Sequence, residues 1–517
     1  MAPVRRGRIL LGVAASLSVA GLLAACTSGA EGAGGGSERS TTTSTPALLE
    51  PVLHPTNCVD PSTPLDTVSC STLVVPKDRS HPDGRQVELP VIRVAASGAP
   101  EGAVPDQGPV VYLHGGPGAG AVRGWITWTM LADGLGREVV AYDQRGGGDA
   151  ITRLDCPEHD EAVLGVLGDA ADWADERALV ADALSTCRER LLDDGVGLDH
   201  YDTPSSVQDL EDLRVALGAD HMTLIGVSYG TRLALDYQRT HPERVSSLVL
   251  DGVDAPGTAG PEVERTLLDG AIERLVDACD RDPDCATRYP DLEEQIERIA
   301  RTYDATPLAA TLPASPDGER GDRPLLLTGA DLLAGLFSAM YDSAQIPLLP
   351  SIIGQLDAGD TAVVELVLRR AAPALLGGAT AAAASIDCAD LAIEGEELAA
   401  ESRTDPGDAS TMVLTGTTSF CDVWDVDPVD DSFLDAVDPE LTPPTLVVAG
   451  ELDPITPAAG ALELADEIGA TYVEVPRGGH VPLLTDACTR RVLRSFLIDP
   501  AVPDLTCTST MAPMPFT

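Results

Sequence analysis

Along the chain, short runs of β-branched and aliphatic residues alternate with stretches whose apolar positions recur at helical spacing. Runs at Gln86–Ala95, Val110–Leu113, Glu138–Tyr142, Met222–Val227, Ser247–Leu250, Thr445–Ala449 and Tyr472–Val475 predict strands. Strands alternating with helices predict an α/β fold, with a mostly parallel central sheet flanked by helices. The alternation stops near Ala255 and resumes near Pro443. Between them the pattern is helical, as at Val263–Ala278, Leu292–Tyr303 and Ala330–Tyr341, with a Pro/Gly-rich loop at 306–324. The simplest account is one sheet domain whose first part spans 51–255 and whose C-terminal part spans 431–517, with a helical cap inserted at 256–430.

Composition narrows this picture. Apolar residues make up 44%, enough for a packed core. The 34 basic and 82 acidic residues give a net charge of -48, a field that repels phosphate backbones and makes nucleic acid a poor partner.

Residues 1–26 read as a leader. Arg5, Arg6 and Arg8 precede the uncharged stretch Ile9–Ala25, which ends in Leu23-Ala24-Ala25-Cys26. Those last four residues resemble the lipobox of bacterial lipoproteins, which implies lipidation of Cys26 and a place on the extracellular face of the membrane, with ordinary secretion or an uncleaved anchor as the alternatives. Residues 27–50, with Gly34-Gly35-Gly36 and Thr41-Thr42-Thr43, read as a flexible tether. Ten further cysteines, an even number outside the cytoplasm, suggest disulfides. Spacing alone does not fix their connectivity. Pairing sequence neighbours gives short loops throughout: Cys58-Cys70, Cys156-Cys187, Cys279-Cys285, Cys388-Cys421 and Cys488-Cys507. No CxxC pair or histidine cluster suggests zinc.

The chemistry centres on Gly226-Val227-Ser228-Tyr229-Gly230, a G-x-S-x-G turn between a predicted strand and the helical segment Thr231–Thr240. A serine in so tight a turn leaves no room for neighbouring β-carbons, hence the glycines. Its hydroxyl needs a base, and the base needs a carboxylate to hold its tautomer. Two histidines lie downstream of Ser228. His241 ends the helix after the serine and reads as a cap; His480, in a loop after the last strand, is the expected base. Asp453, after the preceding strand, is the expected acid, with Asp251 and Glu451 as rivals. The order Ser, Asp, His is that of α/β-hydrolases. His114-Gly115-Gly116-Pro117-Gly118 follows Val110–Leu113 directly, and the amides of Gly116 and Tyr229 are the expected oxyanion donors. This chemistry requires no metal or organic cofactor.

Several segments together resemble the tripeptidyl aminopeptidase-like branch of the proline iminopeptidase family, secreted serine exopeptidases of actinobacteria. They are HGGPG at 114–118, DQRG at 143–146, DLEDLR at 209–214 with Leu217-Gly218, GVSYGTRLALDY at 226–237, VLDGV at 249–253, GELDPITP at 450–457 and GGH at 478–480. The resemblance covers most of residues 60–495, the insertion most loosely. Tyr229 stands where many intracellular proline iminopeptidases carry tryptophan, which favours the tripeptidyl branch.

The resemblance implies peptide-bond hydrolysis from a free N-terminus under a helical cap. Such an enzyme must hold an α-ammonium with carboxylates. Asp390, beside Cys388, is the first candidate, and Arg145 could organise that pocket or form a structural ion pair under the glycine turn. The alternative function on the same fold is an extracellular carboxylesterase or lipase.

Overall fold

The computed structural model describes residues 51–64, 66–95, 107–168, 173–255, 261–314, 320–365, 367–368, 376, 378–391, 420–429, 438–440 and 442–517. The leader with Cys26, the tether and parts of the insertion lie outside these residues.

The first strands are β1 (Leu53–Pro55), β2 (Val68–Pro76), β3 (Gln86–Val94), β4 (Val110–Leu113) and β5 (Val139–Tyr142), with helix α1 (Trp125–Leu135) between the last two. Helices α2 (Pro157–Val166), α3 (Trp173–Asp193) and α4 (Thr203–Leu217) lead to β6 (Met222–Val227), α5 (Tyr229–Thr240) and β7 (Val245–Asp251). The chain then runs through α6 (Pro261–Asp280), α7 (Pro283–Arg288), α8 (Leu292–Ala305), β8 (Leu308–Leu312), β9 (Arg323–Leu327), α9 (Gly329–Ala339), α10 (Leu349–Asp357), α11 (Thr380–Leu391) and α12 (Cys421–Trp424). It returns through β10 (Thr445–Gly450), α13 (Ala458–Ile468), β11 (Thr471–Val475) and α14 (Ala487–Ile498).

Among the described residues, nine strands form one sheet in the order β1-β2-β3-β5-β4-β6-β7-β10-β11. Its first three pairings are antiparallel and the other five parallel. Strands β4, β5, β6 and β10 are buried at every position, as parallel strands covered on both faces must be. Side-chain alternation sorts them between two cores. Val111, Leu113, Leu224 and Leu248 meet Leu210 and Leu213 of α4, Leu233 and Tyr237 of α5 and Leu464 of α13. Val110, Tyr112, Ile225 and Val249 meet Trp128 and Leu135 of α1 and Val492 and Phe496 of α14 on the other face. Because β4, β6, β7, β10 and β11 are parallel, the loops leaving their C-terminal ends share one edge of the sheet.

Two features depart from the sequence reading. The stretch expected as a loop at 306–324 contains most of an antiparallel hairpin, β8 against β9, paired from Leu308↔Leu327 to Leu312↔Arg323. Only Leu312, Leu325 and Leu327 of it are buried, so its alternation is too weak to stand out. The roof also recruits residues from before the elbow. Val163, Leu164 and Leu167 join the core built by α6, α8, α9 and α10. A second core joins Val180, Leu184 and Leu191 of α3 to Ala381 and Ala384 of α11, Phe420 and Trp424.

Five disulfides join Cys58 to Cys70, Cys156 to Cys187, Cys279 to Cys285, Cys388 to Cys421 and Cys488 to Cys507. The fourth ties α11 to α12.

Candidate active site

Ser228 is the residue between β6 and α5, and its backbone has φ 54° and ψ -131°, a conformation that non-glycine residues rarely adopt. The surroundings over-determine it. Its N–H donates to the Asp251 carbonyl at 2.9 Å, and its own carbonyl accepts from Thr231 N at 2.8 Å and Thr231 Oγ1 at 2.6 Å. A β-carbon on Gly226 would strike the Gly230 carbonyl, and one on Gly230 would strike the Leu113 carbonyl, both well inside van der Waals contact. The turn therefore presents a partly exposed serine at the end of a strand that is itself buried throughout.

His480 sits in the loop between β11 and the turn Pro482–Leu484. Its Nδ1 lies 2.8 Å from Asp453 Oδ2. With Nδ1 donating to this carboxylate, the lone pair resides on Nε2, as a general base requires. Asp453 is buried and fully engaged. Oδ1 accepts from Ile455 N at 3.0 Å and Thr456 N at 2.9 Å, and Oδ2 also accepts from Thr456 Oγ1 at 2.8 Å. Both histidine and serine flank the Asp251–Gly252 peptide. Ser228 bonds to the Asp251 carbonyl, and a β-carbon on Gly252 would stand 3.0 Å from His480 Cε1.

The rival groups are engaged otherwise than with His480. Glu451 pairs with Arg281 at 2.5 Å and accepts from Arg477 N at 2.8 Å. Asp251 bonds through Oδ2 to Leu483 N at 3.0 Å. His241 caps the C-terminus of α5 against Tyr237.

The glycine turn after β4 packs directly on Ser228, since a β-carbon on Gly115 would lie 2.5 Å from Ser228 Cβ. Gly116 follows with φ 123°. Tyr229 opens α5, so its N–H is among those a helix leaves without an internal acceptor. The DQRG segment holds this turn in place. Asp143 accepts from Ala121 N at 2.6 Å, Val122 N at 3.1 Å and Asp149 N at 2.7 Å, and Gln144 Nε2 donates to the His114 carbonyl at 2.8 Å.

Of the two roles expected of Arg145, the structure shows the structural ion pair. Arg145 is wholly buried and forks onto both oxygens of Asp209 in α4, at 2.7 Å each, with a further bond to the His200 carbonyl. It braces the turn after β5 against α4 and is paired with Asp209 rather than Asp390. Asp390 is 3% exposed, and its oxygens accept from Thr203 N at 3.1 Å and from Thr203 Oγ1. Burial, only partly offset by Arg232, pushes its carboxyl up to about 6.

Sequence reasoning missed the centre of this cluster, Arg232. Its buried guanidinium faces Asp254 at 2.6 Å, Asp387 at 3.3 Å and Asp390 at 3.4 Å, and lies over the Tyr229 ring. The available signal was an arginine one helical turn past Ser228, inside an otherwise buried helix. Asp387 and Asp254 have side chains 14% and 15% exposed, so they are the more accessible carboxylates.

Residues 108–289 match the profile of the alpha/beta hydrolase fold, and residues 406–509 that of TAP-like proteins. Tripeptidyl aminopeptidase of Streptomyces coelicolor is 26% identical over 488 residues, covering 87% of this chain and 84% of its own. Serine protease Hip1 of Mycobacterium tuberculosis is 26% identical over 462 residues, covering 84% and 86%. Among solved structures, proline iminopeptidase of Mycobacterium smegmatis is similar over 83% of this chain and 98% of its own, at 17% identity and a TM-score of 0.40.

Proposed function

For a chain that is an α/β hydrolase, similar over most of its length to tripeptidyl aminopeptidases, we propose a serine exopeptidase that cleaves peptide bonds near a free N-terminus. The observation that carries this reading is the Asp453–His480 hydrogen bond, formed at the same sheet edge as the strained Ser228 turn. Ser228 attacks the scissile carbonyl as His480 Nε2 takes its proton. The amides of Gly116 and Tyr229 receive the oxyanion. His480 then returns the proton to the leaving amine, and water opens the acyl-enzyme by the reverse path.

The free N-terminus is selected by charge. Asp254, Asp387 and Asp390 gather around Arg232 close to Tyr229, and carboxylates in this place suit a substrate α-ammonium. Asp387 and Asp254 make the contact, while Asp390 anchors Arg232 and Thr203 behind them. The lipobox-like leader supports a place outside the cytoplasm, held to the membrane through Cys26 or released. No described helix is long and apolar enough to cross a membrane.

The test is hydrolysis of tripeptidyl and aminoacyl amides with free and acetylated N-termini. Acetylation is expected to lower kcat/KM by about 100-fold or more, because it removes the charge that partly exposed carboxylates would pair with. Equal rates on blocked substrates would reject the exopeptidase, and turnover of short acyl esters without peptide cleavage would select the esterase.

A further inference from the structure

Asp251, at the end of β7, touches both halves of the site. Its carbonyl accepts the Ser228 N–H at 2.9 Å, and its side-chain Oδ2 accepts the N–H of Leu483, in the turn that follows His480, at 3.0 Å. The next residue, Gly252, donates its N–H to the Val448 carbonyl at 3.1 Å and has the His480 ring against its α-carbon. One residue thus spans from the nucleophile turn to the histidine loop.

Its carboxyl group is unusual. Asp251 is 1% exposed, and among the described residues Oδ1 has no hydrogen-bond partner and no basic side chain pairs with either oxygen. An ionised carboxylate so placed would carry an uncompensated charge, whereas a carboxylic acid would not. The titratable groups around it are Asp453 from the loop after β10, His480 from the loop after β11 and Tyr112 from β4, and none supplies a fixed positive charge.

We propose that Asp251 is a positioning residue that fixes the spacing between Ser228 and His480, and that it does so as a neutral acid, leaving Asp453 the only carboxylate charge acting on the imidazole. Burial, with Asp453 nearby, pushes the Asp251 carboxyl well above the ordinary carboxylate range, in the direction this requires. The neutrality has a catalytic consequence. Two negative charges beside the ring would favour the imidazolium and remove the base at neutral pH. The inference rests on the serine-hydrolase reading, and Ser228→Ala is the control for that reading: its full activity would remove the reading whatever Asp251 does.

The experiment compares Asp251→Asn, Asp251→Ala and Asp453→Asn in the full-length enzyme by kcat, KM and the acid limb of the kcat/KM profile. Asparagine keeps a neutral acceptor for Leu483 N–H, so Asp251→Asn is expected to hold kcat within about threefold of the parent with the acid limb unmoved. Alanine removes the acceptor, and kcat is expected to fall about tenfold or more at little-changed KM, since small misplacements of reacting groups are costly. If Asp251→Asn falls as far as Asp453→Asn, or moves the acid limb down by about half a unit or more, Asp251 is an anion of the relay and the proposal is wrong. Parental kcat in Asp251→Ala would equally overturn it. The asparagine arm decides the charge even if the alanine variant does not fold.

Discussion

The two halves of the site are held by different means. On the serine side, Ser228 is fixed from within the sheet: β4, β6 and β7 press on its turn, and Gly226 and Gly230 lie close against backbone carbonyls. On the base side, the sheet supplies only the strand ends, and the roof completes the hold. The His480 N–H donates to the Tyr341 carbonyl at 3.0 Å, Gly479 N donates to Ser343 Oγ at 2.8 Å, and the Tyr341 ring meets the imidazole edge-on at 5.2 Å between centroids. Helix α6 adds Arg274 on the Asp453 carbonyl at 3.0 Å, and the N-cap of α7, Asp282, pairs with Arg477 at 2.8 Å. The inserted segment is therefore a structural support of the histidine loop, and under the proposed mechanism it helps to position the base.

The largest expected effect lies in the relay itself. Asp453→Asn should lower kcat by about four orders of magnitude, because the amide favours the wrong imidazole tautomer. Ser228 should stay ordered, since none of its backbone bonds involves residue 453. A loss below about tenfold would mean that the carboxylate does not orient the base.

The contrast between the halves is sharpened by Gly479→Ala. Its β-carbon would strike the Met340 carbonyl, so the histidine loop and the roof must part. We expect kcat to drop about 10- to 100-fold, as for a displaced catalytic group. Ser343→Ala, which removes only one hydrogen bond to the same loop, should cost about threefold. An unchanged kcat in both variants, measured on folded protein, would show that the roof does not position the base.

The smallest effect concerns the Arg232 cluster and is read in stability. Asp390 holds its proton more tightly folded than unfolded, because its carboxyl is raised from 3.8 to about 6. The folded state then binds more protons across this window, so stability declines as pH rises from 3.8 to about 6. Asp390→Asn should flatten that part of the profile in urea unfolding, and an unchanged slope would mean that Asp390 titrates normally.

What the sequence disclosed follows from how local each signal is. Strands β4 and β6 are legible to the residue because short apolar runs bounded by glycine and turn signals leave little freedom of register. The elbow is legible because its glycines answer a crowding that arises within a few residues. The hairpin β8–β9 was not, since alanines and an exposed face blur its period. Nor could spacing show that Val163 and Leu164 share a core with α9, or that Arg145 chooses Asp209, because pairing across the fold depends on topology. Ser343 and Tyr341 carry no local signature at all; only the docking of the roof onto the histidine loop gives them a role.

The central claim, that Ser228 is a nucleophile activated by His480 and Asp453, is tested most directly by mass analysis after reaction with a fluorophosphonate. One adduct per chain, on the peptide containing Ser228 and lost in His480→Ala, is the expected result. Labelling of another residue, or equal labelling of Ser228 in His480→Ala, would contradict it.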